Sequence, residues 1–286
     1  MKTETELLRK FIADALIEDV GDGDHTSLAT IPQGMQGRAR LLIKEDGIVA
    51  GVGVAVEIFK QVDPELRVDV FINDGEEVKY GDIVLYVTGS SYSILVAERL
   101  VLNTMQRMSG IASTTRRIVN LLKDTSTKVL DTRKTTPNMR FLEKLAVKIG
   151  GGVNHRFGLY DMILIKDNHV DYAGGIKQAL SAATNYRIVK NKTIPIEIEV
   201  RNIAELEQVI EHGGVDRILL DNFDFKTLSE AVQLISHRFI TEASGGITEN
   251  NVYEYARCGV DYVSMGALTH SVKSLDMSLK ALDNTN

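Results

Sequence analysis

Apolar residues recur at helical spacing near the start of the chain, where Leu7, Leu8, Phe11, Ile12, Ala15 and Leu16 mark one face of an amphipathic helix. From Gly37 to Gly89 the rhythm shortens to strands: RARLLIKEDGIVAG, LRVDVFI, EEVKY and DIVLYVTG. Turn residues such as Asn73-Asp74-Gly75 and Gly81-Asp82 part them, and one helix is expected near Val54 to Gln61. This reads as a small α+β domain. Two helices are expected next, from about Ser93 to Met108 and from about Ala112 to Lys123.

Beyond them short apolar runs alternate with helical runs. The runs are KVLD (128–131), MILIK (162–166), IPIEIEV (194–200), RILLD (217–221), FITEAS (239–244) and DYVSM (261–265). Near-continuous apolar strands between amphipathic helices predict a parallel sheet of βα units, and closure into a barrel is the natural architecture for so many. An open doubly wound sheet fits the same pattern. Pro137 suits a first helical position, Asn202 with Glu205 has the capping-box pattern, and a helix is expected from near Thr248. The domain boundary falls near 110/111, giving domains of 1–110 and 111–271, with a helix over 272–286 expected to pack back on the first domain.

A length of 286 residues with 44% hydrophobic and 25% charged content fits two ordinary globular domains. A formal charge of −6 gives no basic field for nucleic acid. No run approaches the roughly 20 apolar residues of a membrane span. The single cysteine, Cys258, excludes an internal disulfide or a cysteine zinc cluster and suggests a reducing compartment, the cytoplasm by default.

Chemistry enters at the strand ends. The runs finish on Asp131-Thr132-Arg133-Lys134, Lys166, Glu199, Asp221, Ser244-Gly245-Gly246 and Met265-Gly266-Ala267. In a parallel α/β sheet these ends surround a ligand. Residues 131–170 hold seven Lys and Arg against four Asp and Glu, plus His155 and His169, which predicts an anionic ligand. Arg140, Lys144 and Lys148 recur every four residues and read as a solvated helix face; Arg133, Lys134, Arg156 and Lys166 do not. Arginine forks grip carboxylates and lysine suits phosphate, so both anion types fit.

Gly150, Gly151 and Gly152 before Asn154-His155-Arg156 would let backbone approach a ligand, and Ser244-Gly245-Gly246 reads as a phosphate cradle or an ordinary turn. Glu199 and Asp221 could hold magnesium together with substrate phosphates, accept sugar hydroxyls, or pair with nearby lysines. Gly51-Val52-Gly53 lacks a third glycine, HExxH and CxxC are absent, and EDVGDGDHTS reads as a cap or turn, with no role assigned to His25.

The stretch KVLDTRKTTPNMRFLEKLAVKIGGGVNHRFGLYDMILIKDNH resembles the central signature of the quinolinate phosphoribosyltransferases. EDVGDGDHTS, AERLVLNTMQRMSGIAS, IEIEV, LLDN and EASGGI extend the resemblance over nearly the whole chain. It implies an N-terminal α+β sandwich-like domain, a C-terminal incomplete parallel α/β barrel, and a homodimer or assembly of dimers. It also implies joining of quinolinate to 5-phosphoribosyl-1-pyrophosphate with Mg²⁺ and no organic cofactor. Arg133, His155, Arg156 and Lys166 would surround the quinolinate carboxylates, Thr132 would adjoin them, and Arg99 would reach the partner subunit's site. Lys134 and Lys166 would lie between the substrates. Glu199 and Asp221 would meet the ribose or metal, and Ser244, Gly245, Gly246, Met265, Gly266, Ala267 and His270 would serve the phosphate end.

The related molybdenum-transport-associated ModD family, with a different acceptor, shares much of this pattern, and Lys166-Asp167-Asn168-His169 favours the quinolinate enzymes over it. A Schiff-base aldolase using Lys166 and a non-enzymatic ligand sensor remain open at this point.

Overall fold

The computed structural model describes residues 3–282. In chain order its elements are α1 Glu4–Val20, α2 His25–Thr30, β1 Gln36–Ile43, β2 Gly47–Ile48, α3 Val52–Val62, β3 Arg67–Val70, β4 Glu77–Val78, β5 Ile83–Ser90, α4 Ser91–Leu121, β6 Lys128–Leu130, α5 Arg140–Ile149 and β7 Ile163–Ile165. Then come α6 Asp167–Ala173, α7 Ile176–Val189, β8 Ile196–Val200, α8 Ile203–His212, β9 Arg217–Asp221, α9 Phe225–Ile235, β10 Ile240–Ser244, α10 Val252–Arg257, β11 Tyr262–Ser264, α11 Ala267–His270 and β12 Met277–Ala281. The described residues form two compact units, one of 3–116, 135–151 and 269–282, the other of 117–134 and 152–268.

In the first unit an antiparallel sheet runs β12-β1-β5-β3, beside a short β2-β4 pair. Alternate residues Ala39, Leu41 and Ile43 of β1 are buried, as period-2 patterning requires, with Ile58 and Phe59 of α3 also in the core. Asp74, in the expected turn, accepts from the amides of Gly51 (2.5 Å), Val52 (2.9 Å) and Gly53 (3.2 Å), so it caps α3 and uses the glycine pair structurally. Asp24 likewise caps α2, accepting from the Ser27 amide at 3.1 Å.

Three expectations are corrected here. The two helices expected over 93–108 and 112–123 are one, α4. The apparent break at Ser109-Gly110 is a packing surface: Ser109 Oγ bonds both the amide and the carbonyl of Ala50, and a Cβ on Gly110 would collide with the Lys273 carbonyl. A glycine costs a helix interior about 1 kcal/mol, and close backbone approach offsets it. The helix expected over 272–286 is instead strand β12 at its described part, pairing with β1 from Ala39↔Ala281 to Ile43↔Met277; residues 283–286 lie outside the described residues. Helix α5 starts at Arg140, since Met139 donates to the Thr136 carbonyl in a turn that places Asn138 at φ 64°.

The second unit is a six-stranded parallel sheet ordered β6-β11-β10-β9-β8-β7. From β7 to β11 each strand lies beside its neighbour in sequence, and β11 returns to β6, which is the order of a barrel left open between β6 and β7. Val153 lines that seam, donating to the Val129 carbonyl (2.9 Å) and accepting from Asp131 N (3.2 Å). Asn202 caps α8 through the Glu205 amide at 2.9 Å, but the Glu205 carboxylate reaches back to Arg201 rather than to Asn202. The helix expected from Thr248 begins at Val252, because Thr248 N donates to Asn251 Oδ1 at 2.7 Å and closes a turn first.

Candidate functional site

Strand alternation sets the site in two layers on one face of the parallel sheet. Glu197 and Glu199 share a face of β8, Arg217 and Asp221 one of β9, and Glu242 and Ser244 one of β10. Contacts confirm that the faces are common: Arg217 Nη1 lies 2.8 Å from Glu242 and 4.0 Å from Glu197. The upper layer, at the strand C-termini, is Lys166, Glu199, Asp221 and Ser244.

In the upper layer Lys166 Nζ donates to Glu199 Oε2 at 3.1 Å. Asn222 Nδ2 donates to Asp221 at 2.5 Å. Burial raises the Asp221 pKa, and Lys166 and Lys134 are near enough to work against that rise. The ends of β6 to β9 therefore converge. Lys134 and Arg133 are exposed, and Thr132 Oγ1 accepts from Lys134 N at 3.0 Å. Arg156 has a lowered pKa, first from burial and then from the charge of Arg133. Two guanidinium groups held this close form a place that an anion would relieve. Arg156 Nη1 donates to the Met162 carbonyl at 3.3 Å, and Asp161 pins the following turn through the amides of Phe157 (2.6 Å) and Gly158 (2.8 Å).

The lower layer holds ionisable groups inside the sheet's curve. His155 Nε2 lies 3.0 Å from Glu197 Oε2 and 3.5 Å from Glu242 Oε2, with its side chain 7% exposed and both carboxylates buried. Arg217 stacks over Tyr262 with its guanidinium 4.7 Å from the ring centroid. Burial pulls the His155 pKa down, but the two carboxylates outweigh it and hold it up to about 9. The amide of Arg156 sits 2.6 Å from His155 Nδ1 and needs a lone pair there. A doubly protonated ring conflicts with that contact, and the contact decides: the extra proton lies on the Nε2 side, shared with Glu197. Burial, then Glu242, pushes the Glu197 pKa up accordingly. For Glu242, burial raises the pKa, yet His155 and Arg217 together hold it low.

His155, Glu197 and Glu242 are also the one group of three candidate metal ligands found among the described residues. With Nδ1 accepting, Nε2 of a neutral ring carries its hydrogen, so this is a proton site in preference to a metal site. Magnesium fits the upper layer better. Glu199 and Asp221 offer hard carboxylate oxygens on adjacent strands, too few for a cage made by protein alone, as suits an ion that keeps substrate phosphate among its ligands.

The glycine turns divide. Gly245 and Gly246 hold φ of 94° and 61°, and a Cβ on Gly245 would strike the Asn222 side chain. The close approach expected of Gly150 is made to α4, where a Cβ would lie 2.6 Å from the Ala112 carbonyl. Lys144, expected on a solvated face, is 3% exposed. Met265 is buried, its amide bonded to the Leu130 carbonyl at 3.0 Å, and Gly266 and Ala267 follow it half-buried. Arg99 and His270 belong to the first unit: Arg99 is exposed on α4, and His270 Nδ1 lies 2.6 Å from Ser271 Oγ. His169 accepts from the Lys166 amide at 3.0 Å and so caps α6.

Glu197 and Glu242 escaped the reading of strand ends because they lie one pleat earlier, and Arg217 because it opens β9 rather than ending it. The Glu197, Glu199 alternation was their available signal.

Family models described as quinolinate phosphoribosyl transferase, N-terminal domain and C-terminal domain match residues 24–109 and 111–280. The chain is 47% identical over 281 residues to quinolinate phosphoribosyltransferase [decarboxylating] 2a, mitochondrial, of Nicotiana tabacum, covering 93% of this chain and 80% of that one. The crystal structure of NadC from Streptococcus pyogenes superposes with a TM-score of 0.91 at 39% identity, covering 99% of this chain and 100% of that one. The nicotinate-nucleotide pyrophosphorylase from Francisella tularensis gives 0.90 at 36% identity, covering 98% of each.

Proposed function

This chain belongs to the quinolinate phosphoribosyltransferase family, and from that premise we propose how its residues divide the reaction. The activity is transfer of phosphoribose from 5-phosphoribosyl-1-pyrophosphate to quinolinate with decarboxylation, yielding nicotinate mononucleotide, pyrophosphate and carbon dioxide for NAD biosynthesis.

The observation that carries the division of labour is the closeness of Arg133 and Arg156. Two planar forks suit two carboxylates, so Arg133 and Arg156 grip quinolinate, with Thr132, His155 and Lys166 around it and Arg99 supplied by a second copy in a dimer or assembly of dimers. Lys134 and Lys166 stand between the substrates. Ser244, Gly245, Gly246, Met265, Gly266, Ala267 and His270 take the phosphate end, where amides freed by positive φ can face an anion.

The pyridine nitrogen attacks the anomeric carbon as pyrophosphate leaves, through a transition state with oxocarbenium character. Glu199 and Asp221 stabilise that positive charge and accept ribose hydroxyls. They would also hold magnesium, largely through the substrate, where it would neutralise pyrophosphate. The 2-carboxylate then departs as carbon dioxide, leaving its electron pair on a carbon beside a quaternised nitrogen that stabilises it until solvent supplies a proton, so positioning and charge compensation do the work. No covalent intermediate is needed. A reducing compartment, the cytoplasm, agrees with the single cysteine. Among the described residues no helix is long and apolar enough to cross a membrane.

The test is formation of nicotinate mononucleotide from quinolinate, 5-phosphoribosyl-1-pyrophosphate and Mg²⁺, with Arg133→Ala beside the native protein. Truncating one partner of a desolvated charge pair costs 2–5 kcal/mol or more, so quinolinate affinity should fall by about a hundredfold. Unchanged affinity and turnover would refute the dicarboxylate grip.

A further inference from the structure

Beneath the anion site lie three charged side chains, Glu197, Glu242 and Arg217, that the proposed reaction does not use. Glu197 is fully buried, and neither of its oxygens makes a well-formed hydrogen bond; Glu242 Oε1 is in the same condition. Buried carboxylates without good partners are costly, and an ordinary barrel interior fills these positions with branched apolar side chains. Among the described residues His155, on the chain that re-enters the second unit at the open seam, meets both carboxylates from outside the strands, and the charge of Arg156 is felt at Glu197.

We propose that Glu197, Glu242 and Arg217 are positioning residues for the quinolinate end of the site, acting through His155 on the main chain of Arg156. The inference rests on the quinolinate reading above. Residues 154–156 have no strand of their own. They are pinned from one side by Asp131 at the end of β6, whose Oδ1 takes the His155 amide at 2.8 Å and whose Oδ2 takes the Asn154 side chain at 2.6 Å. From the other side Glu197 and Glu242 face the His155 ring at 3.0 and 3.5 Å. The ring's other nitrogen receives the Arg156 amide at 2.6 Å. Arg217, bonded to Glu242 at 2.8 Å, fixes where that carboxylate stands.

The geometry makes one ring the link between two buried acids and the amide of an anion-binding arginine. The same turn carries the second of the two guanidinium groups, Arg133 being on the β6 side of the seam. Its fit to a rigid dicarboxylate depends on their spacing, and a misplacement of about 1 Å costs about a hundredfold.

The experiment compares the native protein with Glu197→Gln and Glu242→Gln, which keep shape and volume, and reads KM separately for quinolinate and for 5-phosphoribosyl-1-pyrophosphate, with thermal melting to select folded material. Each variant should raise the quinolinate KM about tenfold, part of the roughly hundredfold that a full misplacement of about 1 Å would cost, while changing the other KM less than about threefold. A double-mutant cycle with His155→Asn completes the test: once the ring is gone, Glu197→Gln should add less than about twofold. Equal effects on both KM values, no effect on either, or full additivity with His155→Asn would overturn the proposal. A native protein that forms no nicotinate mononucleotide would instead sink the function on which it rests.

Discussion

The two polar layers of the parallel sheet are made of the same residue types and behave in opposite ways. Below, Glu242 and Glu197 are buried, His155 and Arg217 are mostly so, and the four neutralise one another, every cation facing a carboxylate. Above, Lys166 and Asp221 keep solvent contact, and burial together with the charge of Arg133 depresses the pKa of Arg156. A self-compensated layer holds a shape; a rim on which two guanidinium groups crowd together stores a demand for a ligand. The distinction is measurable, since damage below should appear in stability and damage above in binding.

The sharpest test is Glu242→Ala, which takes from Arg217, only 15% exposed, the nearer of its two carboxylates. Breaking a buried pair this way costs about 3–5 kcal/mol, and chemical denaturation should show that loss. A stability within 1 kcal/mol of native would break the contrast between layers. Arg133→Lys, on the rim, should leave the melting curve nearly unmoved yet weaken quinolinate binding by about tenfold or more, because an ammonium cannot reproduce a bidentate fork. Calorimetric titration reads it directly.

A smaller effect is expected with pH. The proton that His155 shares with Glu197 is held in the fold up to about 9, against 6.5 for a free imidazole, so its contribution is fully present below about 6.5 and is lost as pH rises through about 9. Stability followed across that window should decline, and His155→Asn should flatten the decline; a decline unchanged in the variant would place the titration elsewhere. Smallest of all, Lys177→Ala removes an exposed pair 2.7 Å from Glu211 and should change stability by less than about 0.5 kcal/mol.

Which parts were legible in the sequence follows from the range of the signals. The six parallel strands announce themselves as apolar runs, and the rim residues as the polar groups that end them. The floor was hidden by the same rule, because Glu197 and Glu242 sit inside runs scored as apolar. Lys144 was misplaced because spacing by four describes a helix face without saying what that face meets. Strand β12 reads as a helix since Leu275, Leu279 and Leu282 recur at helical spacing, and only pairing with a strand more than 230 residues earlier makes it extended. Ser109-Gly110 looks like a break until the segments that lie against it are known.

The pairing of β12 with β1 also bears on how the molecule is made. Synthesis runs from the N-terminus, and domains generally begin to fold as they emerge. Here the edge of β1 stays open until Met277–Ala281 leaves the ribosome, and the first unit also waits for residues 135–151. The second unit, whose last residue is Leu268, has all its strands in hand sooner. The portion of the chain translated first is therefore the portion completed last, and for most of its synthesis it exposes an unpaired strand edge that chaperones or a nascent neighbour could engage.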